Sequence, residues 1–121
     1  MKLRVLQSIQ DLSYVFVFSI DPESITDDDN QRIKKFGAPS IDFGGTFDND
    51  AGLTFTLPDE YYTLPFDFPV KKTFSLVAPF DTDAINKFTL YRTTIVGNVT
   101  TAITNLRNQA DTFTGEFVSN I

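Results

Sequence analysis

Positions 85, 88, 92, 95, 96, 99, 102, 103, 106 and 110 fall on one face of a helix, and nine of these ten are apolar or Ala, Arg92 being the exception. Of the sixteen other positions between 86 and 109, only Leu90 and Tyr91 are large and apolar. A stripe of this kind is the signature of an amphipathic helix, and it predicts one over about 83–109 that needs an apolar surface to lie on. Asp81 or Thr82 would cap its start, with Asp83 in the first turn. Gly97-Asn98, a hairpin-turn dipeptide between flanks rich in β-branched residues, offers a competing β-hairpin. Strand alternation is poor over the same stretch, so the helix is preferred. Its many Thr and Asn residues lower intrinsic propensity, so tertiary packing has to hold it. Residues 112–119 read as a closing strand.

The surface for that helix is predicted from the rest of the chain. Tyr14, Val15, Phe16, Val17, Phe18 and Ile20 form a nearly continuous apolar run, which suggests a strand covered on both faces. Residues 3–9 fit a second strand or a helical turn equally well. Asp21-Pro22 ends the run. A short helix over about 27–36 is the clearest local signal: Thr26 as N-cap, Asp29 three residues on, acids in the first turn, bases toward the end, then Gly37 and Pro39. Residues 40–57 read as a hairpin turning at 48–52, with Ile41, Phe43 and Phe47 alternating against Leu53, Phe55 and Leu57. Gly44-Gly45 inside it suggests a bulge or a close backbone approach. Residues 58–72 hold three prolines and four aromatics and read as an extended arm. Thr73–Ala78 reads as another strand. The expected fold is α+β: one domain over 1–121, with a small, mostly antiparallel sheet carrying one short and one long helix.

The chain has no His and no Cys, which removes the commonest general base, the usual catalytic triads, thiol nucleophiles, disulfides and zinc–thiolate sites. Catalysis would have to rest on carboxylates such as Asp59-Glu60 or Asp81 and Asp83, and adjacent acids are background in a chain of net charge −6. Neither an enzymatic role nor a cofactor is expected. Asp27-Asp28-Asp29 is accounted for by the helix dipole rather than by a metal. The run from Asp48 to Gly52 is unlike an EF-hand loop, because Gly52 stands at the fifth position and Leu53 at the sixth. Gly44-Gly45 lacks the Gly-Lys-Ser/Thr of a phosphate loop. The acidic balance disfavours nucleic acid and anionic membranes as partners; Lys34-Lys35 and Lys71-Lys72 are the only adjacent lysine pairs. MKLRVLQSIQ is too polar for a signal peptide and no run is long enough to span a membrane, so the expected setting is a cytoplasm or a particle assembled in one.

What remains is contact. Tyr61, Tyr62, Phe66 and Phe68 in the proline-rich segment either fold back over the chain's own sheet or are candidates for a subunit interface or, alternatively, for a carbohydrate. Val99, Ile103, Leu106, Ala110, Phe113 and Phe117 follow heptad spacing and could seat a neighbouring subunit or the chain's own sheet. This His-free, Cys-free, acidic chain rich in Thr, Asn and Phe resembles the small virion proteins of tailed bacteriophages, most closely in ITDDDNQRIKKFGAPSIDFGGTF and YRTTIVGNVTTAITNLRNQADTFTGE. The resemblance implies a structural protein of a capsid, neck, tail or decoration. Such a protein would be present in many copies, make contacts with itself and with other virion proteins, and carry no catalytic residues.

Overall fold

The structure is a computed structural model that describes residues 1–48, 54–75 and 82–119, with side chains in the last segment described for 86–108. Two eight-residue strands, β1 (Leu3–Gln10) and β2 (Ser13–Ile20), pair antiparallel across a two-residue turn. Both turn residues have positive φ, Asp11 at 48° and Leu12 at 59°, as a type I′ turn requires. Residues 3–9 are therefore a strand. The helix α1 (Asp27–Phe36) matches its sequence signals: Thr26 Oγ1 accepts from the Asp29 amide at 3.0 Å, and the Asp29 carboxylate accepts from the Thr26 amide at 3.2 Å.

The expected hairpin over 40–57 splits in two. β3 (Ser40–Asp42) pairs with β6 (Tyr61–Thr63), whereas β4 (Gly45–Asp48) pairs with β5 (Thr54–Leu57). The break falls at Gly44, where a Cβ would overlap the carbonyl of Pro58, so only glycine lets the two backbones approach. Residues 49–53, which include most of the expected turn and Leu53, lie outside the described residues.

Residues 58–72 are not an arm. β6 lies in this segment, a tight turn follows between two cis X-Pro bonds (Leu64-Pro65 and Phe68-Pro69), and β7 begins at Val70. Backbone pairing overrides the prolines: the Leu64 amide reaches the Pro39 carbonyl at 2.8 Å, and Thr63 and Asp67 bond each other at 2.8 and 2.9 Å. β7 (Val70–Ser75) starts three residues before the expected strand and completes a sheet of order β1-β2-β7; residues 76–78 lie outside the described residues.

The long helix α2 (Thr82–Ser119) passes straight through Gly97-Asn98, so no hairpin forms there, and it continues where a strand was expected at 112–119. Of the expected caps, Thr82 is the first helical residue and Asp81 lies outside the described residues. Tyr91, Ile95, Val99, Ile103 and Leu106 form its buried line. The first four join Tyr14, Phe16, Phe18 and Ile20 of β2 in one core, and Leu106 lies with Phe36, Ala38 and Pro39 at the end of α1. The centre is Tyr91, whose ring lies 5.1 Å from Phe47 and 5.2 Å from Phe74 and whose hydroxyl donates to the Phe43 carbonyl at 2.9 Å. The core is thus a mesh of aromatic rings, which is where the abundant Phe is spent.

Candidate functional site

Of the seven candidate docking side chains that the structure describes, five are used inside the molecule. Val99, Ile103 and Leu106 are 0, 8 and 3% exposed; Val99 and Ile103 serve the core over the chain's own sheet, Leu106 lies with Phe36, Ala38 and Pro39, and none of the three is open to a neighbouring subunit. Tyr62 and Phe68 turn inward onto Phe43, with ring centroids 5.0 and 5.9 Å away. Tyr61 and Phe66 do face solvent, at 64 and 68% exposure. Phe66 lines an open groove of about 460 Å³ with Asp27, Asn30, Gln31, Ile33 and Lys34 of α1. The helix backbone carries Ala110, Phe113 and Phe117, whose side chains lie outside those described.

Two polar networks tie elements other than the first hairpin together among the described residues. At the first, Asp42 accepts from the Gly44 amide at 2.8 Å and the Glu60 amide at 3.0 Å. These amides hold its carboxyl below the usual range, and the Asp59 carboxyl that shares a hydrogen bond with it is pushed up. Glu60 meets Lys72 at 2.6 Å and accepts from the Tyr62 hydroxyl. Lys72 holds Glu60 low, and the bond to Glu60 drives the Tyr62 phenol up to about 12. The network ties β3, β6 and β7 together around the Gly44 break.

The second network centres on Asp29, which is 1% exposed. Arg107 of α2 reaches it at 3.2 and 3.3 Å, and the Met1 amino group lies 3.5 Å away. Burial raises the Asp29 pKa, but the Arg107 hydrogen bonds, the Thr26 amide and the two positive charges outweigh it and leave the carboxyl at about 2. Both networks consist of fully engaged groups: among the described residues, no buried side-chain polar atom lacks a partner and no cluster of acids is arranged to hold a metal ion. No helix among the described residues is long and apolar enough to cross a membrane.

The feature that sequence reasoning missed is the free side of the first hairpin. Leu6, Ile9 and Leu12 are 69, 59 and 70% exposed. They lie along β1 and at the turn, and β1 is an edge strand with β2 as its only ladder partner among the described residues. A long edge strand with apolar side chains is a template for pairing, and folded proteins ordinarily blunt it. The signal in the sequence was apolar residues along a strand with no charge from Val5 to Gln10. Comparison with protein-family models, with characterised proteins and with solved structures gives no match to this chain.

Proposed function

We propose that this chain is a structural protein, a multi-copy component of a tailed-phage particle that works through protein–protein contacts and not by catalysis. The observation that carries the reading is the β1 edge, which has β2 as its only ladder partner among the described residues, with Leu6, Ile9 and Leu12 exposed along the hairpin. Isolated exposed apolar residues are ordinary, but Leu6 on one face of β1 and Ile9 on the other flank an edge whose outward backbone groups have no ladder partner among the described residues, and pairing that edge would bury part of both. The resemblance in composition to small virion proteins gives the setting, and the acidic balance points to protein partners rather than nucleic acid.

The test is co-sedimentation of the purified chain with phage particles produced from the genome that encodes it, together with light scattering of the chain alone. Stable association in either assay is expected. A strict monomer at high concentration that also ignores the particles would sink the reading. Exposed Tyr61 and Phe66 favour carbohydrate binding as a second reading, but Tyr62 and Phe68 point inward and leave only two rings for a sugar platform. Chemical-shift titration with sugars decides it: shifts confined to Tyr61 and Phe66 would favour that reading.

A further inference from the structure

We infer that the partner of the β1 edge is the β1 edge of a second copy, paired antiparallel about a two-fold axis at Leu6. The inference rests on the assembly reading above and makes it specific. The Asp21 amide donates to the Lys2 carbonyl at 2.9 Å, one step beyond Leu3↔Ile20. Hydrogen-bonded and non-hydrogen-bonded pairs alternate along an antiparallel ladder, so the even residues of β1 direct their amides and carbonyls toward β2. Leu3, Val5, Gln7 and Ile9 therefore direct theirs outward.

An antiparallel self-pairing that uses those four residues must match odd with odd. Centred on Leu6, it sets Leu3 against the second copy's Ile9 and Val5 against its Gln7. About eight backbone hydrogen bonds would result. Leu6 then faces Leu6 as a non-hydrogen-bonded pair, the closer kind, and exposed Ile9 comes to lie beside Leu3, which already packs on the core.

Charge selects the direction of pairing. Lys2 and Arg4 lie at one end of the strand, Asp11 lies at the other, and nothing between Val5 and Gln10 is charged. The antiparallel match sets Arg4 against Ser8 and brings Asp11 to the Lys2 end of the other copy, once at each end. A parallel match would set Lys2 against Lys2 and Arg4 against Arg4, which is repulsive. The product is one six-stranded antiparallel sheet, β7-β2-β1-β1-β2-β7, with both copies of α2 on the same face.

The native chain has no Cys, so a single introduced thiol gives a clean readout. At the two-fold, the Leu6 Cα atoms would lie about 4.5 Å apart, within disulfide range. Those of Ser8, on the same face, would lie about 14 Å apart. Under mild oxidation, Leu6→Cys is expected to form covalent dimer at least about tenfold faster than Ser8→Cys. Leu6→Lys, at an exposed position, is expected to weaken self-association at least about tenfold with no loss of thermal stability. Equal cross-linking at both positions, or none at Leu6→Cys, overturns the pairing. If the native chain self-associates without trapping at position 6, the β1 pairing fails and the assembly reading stands; a native chain that neither self-associates nor binds particles removes both.

Discussion

Asp29→Asn tests how α1, α2 and Met1 are tied together. The native carboxylate accepts from the Thr26 amide and from Arg107 at 3.2 and 3.3 Å, and it neutralises a Met1 amino group that is itself 0% exposed. Its pKa falls from 3.8 to about 2, and that difference from an unfolded chain corresponds to about 2 kcal/mol of stability. Asn preserves one acceptor for the cap but strands the buried ammonium, so the total loss at pH 7 should be about 2–4 kcal/mol. For a chain of this size, that lowers Tm by roughly 6–15 °C. Because the folded pKa is depressed, the native advantage is full above about pH 4 and is lost as pH falls through about 2. Urea unfolding of both proteins at neutral and acid pH measures it. A gap under about 0.5 kcal/mol at pH 7, or one that stays constant down to pH 2, would refute the assignment of Asp29 as a buried ionic tie.

Other outcomes follow from the same packing. Gly44→Ala drives a Cβ into the Pro58 carbonyl and should cost about 2–4 kcal/mol in urea unfolding; a cost under about 1 kcal/mol would mean that the β3–β4 junction is looser than described. Tyr91→Phe leaves the Phe43 carbonyl without its 2.9 Å donor inside the core and should cost about 1–2 kcal/mol, whereas a neutral result would place water at that carbonyl. In carboxyl NMR titrations, Asp59 should titrate above and Asp42 below the usual aspartate range, and Asp42→Asn should return Asp59 toward it. Ordinary values for both would dissolve the pair.

What could be read from the sequence was what neighbouring residues decide. Thr26, Asp29, Gly37 and Pro39 fix α1 locally, and the stripe from Ile95 to Leu106 fixes the middle of α2. The phase of that stripe was off at one point. Arg92, counted on it, sits at its margin bonding Gln7, and Tyr91, counted off it, is the fully buried centre of the core. Thr112, Phe113, Phe117 and Val118 favour strands intrinsically, yet the helix continues through them. In residues 58–72, proline content outweighed a signal that lay about twenty residues away, the β3 segment that β6 pairs with. The tie between Asp29 and Arg107 spans 78 residues and had no local trace. Nor can sequence tell which strand of a sheet will be its edge, so Leu6 and Ile9 drew no notice while buried Val99, Ile103 and Leu106 did.

The central claim, that the β1 edge makes this an assembly protein, is tested most directly by sedimentation equilibrium of the native chain beside Leu6→Lys over a wide concentration range. The account predicts that the native mass rises from that of one 13.6 kDa chain toward twice that value while Leu6→Lys stays at one. Identical curves for the two proteins, whether both monomeric or both associating, would contradict it.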